Sequence, residues 1–299
     1  MKLAVIGLGR MGAAIAARAQ AAGYCVLGFD PNVQIQKEQQ QKGIQVYESL
    51  QELAKEADVA WLMVPAGAVV DQTIDALLAT LKKSAIIIDG GNSNFADSVK
   101  RAQKLQLKGI PFLDCGTSGG IHGQKDGFCL MVGGDYAAYL KVEPLLKVIA
   151  TKDGVAYLGK SGAGHYVKMV HNGIEYGMLQ AYAEGFHLLR EGSYKDLDLH
   201  KIARLWQHGA VIRSWLLELT ENVLIQDQNL ADIDGKIQEG GTGLWTVQNA
   251  HENKIPVSVI EKSLEVRKES RVSGGNYATK LIQMIRNAFG GHTLIRKFD

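Results

Sequence analysis

Cysteine and proline are the scarce residues of this 299-residue chain, at three and five. The cysteines, Cys25, Cys115 and Cys129, form an odd set with no CxxC pair. No His/Cys group has zinc spacing either, which argues against both a disulfide framework and a structural metal. Each cysteine lies in an apolar run of strand character, so reduced, buried thiols are expected. The few prolines exclude a Pro-rich linker protein. A charge excess is also missing, since 33 Lys+Arg against 31 Asp+Glu leaves a formal +2. With no basic stripe and no aromatic interleaving, neither nucleic acid nor an anionic membrane is an expected partner. The longest apolar run, Val59 to Val70, falls short of the roughly 20 residues that cross a bilayer, and Pro65 interrupts it. The first apolar stretch runs straight into Gly7, too short for a signal peptide. A soluble, cytoplasmic protein is expected.

Glycine is plentiful, with 34 residues, and 46% of the chain is hydrophobic. At roughly 100–200 residues per domain the length allows about two domains. Leu3–Ile6, Tyr24–Phe29, Val59–Val64, Ala85–Ile88, Phe112–Cys115, Phe128–Val132 and Val155–Leu158 read as strands. Helix-length segments such as Met11–Ala22, Val69–Leu81 and Asp135–Ile149 lie between them. This alternation predicts a doubly wound, mainly parallel α/β sheet of Rossmann type. After Leu158 the strands give way to helices, over His165–Arg190, Leu199–Trp206, Val211–Ile225, Leu244–Asn253, Val257–Lys268 and Tyr277–Phe289. A boundary near Gly162 therefore divides a dinucleotide-binding domain, 1–162, from an all-helical domain, 163–299.

The first strand enters Gly7-Leu8-Gly9-Arg10-Met11-Gly12, a GxGxxG turn that opens a helix. Gly7 permits the turn, Gly9 lets backbone approach a pyrophosphate, and Gly12 lets helix pack on strand. The helix N-terminus supplies N–H groups and a positive dipole end for the phosphates. Gly7, Leu8, Gly9, Met11 and Gly12 are the candidate contacts. The second strand ends at Asp30, placed to accept from both ribose hydroxyls of NAD and to repel the 2′-phosphate of NADP. Pro31 and Asn32 follow it, so no adjacent arginine would clamp that phosphate. Val64-Pro65-Ala66-Gly67 and Asp89-Gly90-Gly91-Asn92-Ser93 follow later strands, and Val64, Pro65, Ala66 and Asn92 are expected beside the ribose and nicotinamide.

Asp114-Cys115-Gly116-Thr117-Ser118-Gly119-Gly120 offers a hydroxyl and small-residue N–H groups, suited to a carboxylate nest or equally to a flexible loop. The sharper signal is Gly162 to Tyr176. On a helix, Lys168, Asn172 and Glu175 are spaced by four and three residues and share one face, with His171 at its border. Val167, Met169, Val170 and Ile174 fill the rest of that stretch, which is not the pattern of a solvated face. A structural Lys168–Glu175 ion pair is the plainer alternative. A desolvated lysine can act as a base, and a carboxyl in an apolar wall can act as an acid. Beside a nicotinamide, that pair suits oxidation of an alcohol.

At these residues the chain resembles the decarboxylating 6-phosphogluconate dehydrogenases of the β-hydroxyacid dehydrogenase superfamily. Gly7–Gly12, Ile88–Ser93, Ser118–Gly120 and above all Lys168–Tyr176 carry the resemblance, which spans nearly the whole chain. It implies Lys168 as general base and Glu175 as the acid that protonates the enediol left by carbon dioxide. It implies Asn172 and His171 on the sugar hydroxyls, Ser118, Gly119 and Gly120 at the carboxylate, and Tyr176, Thr242 and Arg267 at the phosphate. Arg286 to His292 is similar to the family's terminal motif, whose arginine and histidine reach a neighbouring subunit's site, so a homodimer or homotetramer is implied. Read without the resemblance, Arg267 and Arg286 lie in charged helical stretches where solvated arginines are the common case.

The chain departs from the family at three places. Gly240-Gly241-Thr242-Gly243-Leu244-Trp245 lacks the lysine that opens the corresponding family segment. Asp30-Pro31 replaces the Asn-Arg pair of NADP-dependent members, and the duplicated helical region of long members is missing. The expected activity is NAD-preferring oxidative decarboxylation of a phosphorylated sugar acid, 6-phosphogluconate, without a metal. Two alternatives are a non-decarboxylating β-hydroxyacid dehydrogenase and a catalytically silent NAD-binding sensor.

Overall fold

The computed structural model describes all residues except 239 and 297–299. The chain divides into two compact units, Met1–Met169 and Val170–Asp299. The division falls inside a helix, a few residues beyond the glycine turn at Gly162.

The first unit alternates strand and helix. In order it contains β1 (Lys2–Ile6), α1 (Arg10–Ala21), β2 (Cys25–Phe29), α2 (Val33–Gln41), β3 (Gln45–Val46), α3 (Leu50–Glu56) and β4 (Val59–Leu62). Next come α4 (Ala68–Leu78), β5 (Ile86–Asp89), α5 (Phe95–Gln106), β6 (Phe112–Ser118), α6 (Gly123–Asp126), β7 (Phe128–Gly134), α7 (Tyr136–Ile149) and β8 (Ala150–Gly159). The strands form one sheet in the order β3-β2-β1-β4-β5-β6-β7-β8. Every pairing is parallel except β6 with β7. β4 and β5 are buried along their whole length, as strands covered on both faces must be. One face packs Ile15, Ala16 and Ala19 of α1 with Val142, Leu146 and Ile149 of α7. The other packs Leu53 of α3, Ile74 and Leu77 of α4 and Leu105 of α5.

The second unit begins within α8 (Ala163–Glu191) and continues with α9 (Leu199–Trp206), α10 (Trp215–Gln226), α11 (Thr242–Glu252), α12 (Ser258–Ser273) and α13 (Tyr277–Gly290). Its core joins Leu179, Ala183 and Phe186 of α8 to Leu217 and Leu224 of α10 and to Leu281, Ile282 and Ile285 of α13. Among the described residues its only β feature is an isolated bridge between Ile233 and Arg296.

Several boundaries differ from the sequence reading for local reasons. α10 starts at Trp215 rather than Val211 because the Ser214 hydroxyl accepts from the Leu217 amide as N-cap, 3.1 Å. α12 runs past Lys268 to Ser273, where Gly274 takes the left-handed C-cap conformation. β3 is a two-residue edge strand with no pattern to reveal it. The thiols are free, but only Cys115 is buried, and burial raises its pKa well above the usual thiol value. Cys25 and Cys129 are exposed, against expectation. Cys25 is the first residue of its strand, and Cys129 alternates outward between buried Phe128 and Leu130.

Candidate active site

The parallel strands bring the loops after β1, β2, β4, β5 and β6 to one sheet edge, with the order of connection reversing between β1 and β4. Open α/β sheets bind nucleotides at such a switch point. There Gly7 has φ +90°, and a Cβ on it or on Gly12 would collide with backbone, of Met63 and of Gly7 respectively. A Cβ on Gly9 would meet nothing within 4 Å. Gly9 is also the N-cap of α1 and brings no capping side chain, so the open space and the helix N-terminus coincide, as a pyrophosphate requires.

The Asp30 carboxylate accepts from the Leu8 and Asn32 amides, both 2.8 Å, which fixes it at the end of β2. These bonds leave acceptor capacity for ribose hydroxyls. The Leu8 side chain is buried, so only its backbone belongs to the turn surface, and Met11 packs against the core. Pro65, Ala66 and Asn92 are exposed at the same edge, and Val64 is half-buried. This edge fits a dinucleotide.

Asp114 to Ser118 belong to β6 and are not a loop; only Gly119 and Gly120 leave the strand, with φ +133° and +55°. Sequence reasoning missed what Asp114 does. Its buried carboxylate accepts from the Gly162 amide, 2.7 Å, and the His165 amide, 2.9 Å, and so pins the start of α8. The His165 ring is itself buried, its Nδ1 2.7 Å from Ser98 Oγ. One turn further, Lys168 is 8% exposed, and a Cβ on Gly116 would collide with its Cβ. The stem of the expected base is therefore packed against a strand.

In the second unit, Asn172 and Glu175 follow Lys168 at helical spacing and are half-buried. His171 Nδ1 lies 3.0 Å from Asn172 Oδ1, and Asn172 donates to Thr242 Oγ1 on α11, 3.3 Å. Val167 and Ile174 are 38% and 53% exposed, so the apolar residues around this face do not all wall it in.

Arg267 is 1% exposed and sits over the Tyr176 ring, Cζ 3.3 Å from the centroid. None of its three nitrogens has a hydrogen-bond partner among the described residues. Burial pushes its pKa down to about 10; Tyr176 and Glu175 oppose that shift, and Arg286 adds to it. Arg286 is 6% exposed, also lowered by burial, and is bonded at 3.4 Å to Gln283. Both arginines are thus buried, not solvated as their charged stretches suggest, and both remain charged at neutral pH. Gly240 stands beside this cluster, where an added Cβ would come 3.4 Å from the Tyr176 hydroxyl.

Arg286 lies in the field of Tyr176 and Glu175 of its own chain, and α13 turns it inward with Gln283. His292 folds over Gly290 at the end of the same helix, and its carbonyl accepts from Asn287, 2.7 Å.

A dinucleotide-ready sheet edge followed by an anion-ready helical unit defines a nicotinamide-dependent dehydrogenase of the β-hydroxyacid type. The fold agrees with the 3-hydroxyisobutyrate dehydrogenase of Mycobacterium tuberculosis, 22% identical with TM-score 0.77 over 95% of this chain and 99% of that one. The family is narrower: the NAD-binding-domain model of 6-phosphogluconate dehydrogenase matches residues 2–159, and the C-terminal-domain model matches 164–275. The chain belongs to the 6-phosphogluconate dehydrogenase family. It is 45% identical over 304 residues to the NAD(+)-dependent, decarboxylating 6-phosphogluconate dehydrogenase of Haloferax volcanii, with 100% of each chain covered. The decarboxylating enzyme of Lactococcus lactis is 38% identical over 88% of this chain, which spans 60% of that protein. The 6-phosphogluconate dehydrogenase of Plasmodium falciparum is 29% identical with TM-score 0.84, covering 91% of this chain and 62% of that one. Among the described residues no helix is long and apolar enough to cross a membrane, and no His/Cys/Asp/Glu group could hold a metal ion.

Proposed function

We propose that this protein oxidatively decarboxylates 6-phosphogluconate to ribulose 5-phosphate with NAD. One observation carries the substrate class: a buried arginine, stacked on a tyrosine and without a hydrogen-bond acceptor among the described residues, beside a second buried arginine. Native proteins rarely leave such a charge unpaired, and a phosphate dianion would satisfy it with planar, multi-bond contacts. Arg267, Arg286, Tyr176 and Thr242 hold the phosphate in this reading, and Asn172 and His171 orient hydroxyls. Ser118, Gly119 and Gly120 receive the carboxylate. Nicotinamide bound at the sheet edge would supply the acceptor for the hydride from carbon 3.

Lys168 removes the proton of the hydroxyl on that carbon as hydride departs. The protonated amine then donates a hydrogen bond to the new carbonyl, which lets the β-keto acid shed carbon dioxide by drawing the electrons toward oxygen. Glu175 delivers a proton to carbon 1 of the resulting enediol. Asp30, engaging ribose hydroxyls, makes NAD the preferred cofactor over NADP. A cytoplasmic homo-oligomer is part of the proposal, with His292 offered to a neighbouring copy.

The protein should be given 6-phosphogluconate or gluconate, each with NAD or NADP, while absorbance and carbon dioxide are followed. Matched formation of NADH and carbon dioxide from the phosphorylated acid is expected. Reduction of NAD without carbon dioxide would establish the simple β-hydroxyacid dehydrogenase instead, and cofactor binding without turnover would establish a sensor.

A further inference from the structure

Arg101 of α5 is the most heavily bonded buried charge of the first unit, and nothing in the reaction above uses it. It is 4% exposed, and its guanidinium spans two loops. Toward the β4–α4 side, Nε and Nη2 donate to the two oxygens of Asp71, 2.7 and 3.3 Å, and Nη2 also donates to the Gly67 carbonyl, 3.1 Å. Toward the β5–α5 side, Nη1 donates to Asp89 Oδ2, 3.3 Å, and to Ser93 Oγ, 3.1 Å. Asp89 in turn accepts from the Ser93 hydroxyl, 2.7 Å, and the Gly91 amide, 3.2 Å, so the turn around exposed Asn92 is held at both ends. The two loops also touch directly: a Cβ on Gly91 would stand 3.0 Å from the Val64 carbonyl oxygen.

We infer that Arg101 is a positioning residue for the nicotinamide half of the dinucleotide. It fastens the Val64–Gly67 loop to the Asp89–Ser93 loop, so that both present fixed backbone to the ring and its ribose. The inference rests on the cofactor reading above. The glycine turn at Gly7–Gly12 and Asp30 receive no bond from Arg101, so the adenosine and pyrophosphate half is independent of it. The geometry favours arginine because a forked guanidinium reaches both sides at once, whereas a lysine ammonium on a flexible stem cannot hold both.

The test compares two probes by calorimetry, NAD and ADP, which lacks both the nicotinamide and its ribose. R101K should weaken NAD by about tenfold, the scale of a small misplacement of binding groups, while ADP changes by less than about twofold. D71N, which touches only the exposed end of the network, should shift NAD the same way by a smaller factor, and it carries the test if R101K does not fold. A purely structural role would weaken both probes alike and lower the melting temperature in step, and that result overturns the inference. Unchanged NAD binding in both variants overturns it as well. Failure of the wild type to bind NAD at all overturns the cofactor reading and this inference together, which keeps the two failures apart.

Discussion

The two units treat buried charge in opposite ways. In the first, Asp30, Asp89, Asp114 and Arg101 are all at most 7% exposed, and each is bonded to backbone amides, hydroxyls or an opposite charge. In the second, Arg267 is as deeply buried, and among the described residues none of its three nitrogens has an acceptor. Buried charges that are satisfied internally fix geometry, whereas one left unsatisfied costs stability until something outside the chain pairs with it. The first unit is therefore a finished scaffold with an open sheet edge. The second has a deficit built into its core, and an anionic ligand would remove it.

Substitution on the helix that runs through the unit boundary should cost the most activity. K168M should lower turnover on the order of a thousandfold, within the range that loss of a general base produces, while NAD binding measured by calorimetry stays as in the wild type. Retained turnover would remove Lys168 from the chemistry and leave its packing against Gly116 as a matter of structure alone.

Removing the buried arginine of each unit should have effects of opposite sign. R101M leaves Asp89, fully buried, without its cation, and should cost about 3–5 kcal/mol in urea unfolding. R267M removes a charge that, among the described residues, has no hydrogen-bond acceptor and only the Tyr176 ring and the field of Glu175 in its favour, so the ligand-free protein should be unchanged or more stable. The same R267M variant should raise the KM for the phosphorylated substrate by about 10- to 100-fold, roughly 1.4–2.8 kcal/mol of charge-assisted bonding. If R267M destabilises the ligand-free protein as much as R101M does, the second arginine is structural and the contrast between the units disappears.

The parts of this architecture legible in sequence are those written in short-range spacing. The strand–GxGxxG–helix entry, Asp30 at the end of β2, and Lys168, Asn172 and Glu175 on one helix face all lie where periodicity and turn chemistry put them. The invisible parts are long-range. Asp114 is 48 and 51 residues from the amides it accepts from at the start of α8, and Arg101 is 30 residues from Asp71. No local pattern distinguishes these residues from ordinary surface charges. Arg267 and Arg286 show the same limit, because hydrophilic neighbours in sequence suggested solvent while tertiary packing buried both. The exposed thiols of Cys25 and Cys129 err in the other direction: an apolar neighbourhood in sequence did not guarantee a covered face.

At its exposed rim the Arg101 network should contribute least to stability. The Arg101 guanidinium holds the Asp71 carboxyl below the usual aspartate value of about 4, and burial opposes it only in part. A depressed carboxylate stabilises the fold fully above its unfolded value, and the contribution is lost as pH falls through the lowered folded value. The Asp71 side chain is 53% exposed, so solvent screening keeps this below about 1 kcal/mol. D71N should therefore be slightly less stable than the wild type in urea at pH 7, and the gap should close as the pH falls through the lowered folded value of Asp71, below which both side chains are neutral. A gap that persists or widens in acid would show that Asp71 acts through packing or its bond geometry, and that the network's charge is carried by Asp89 alone.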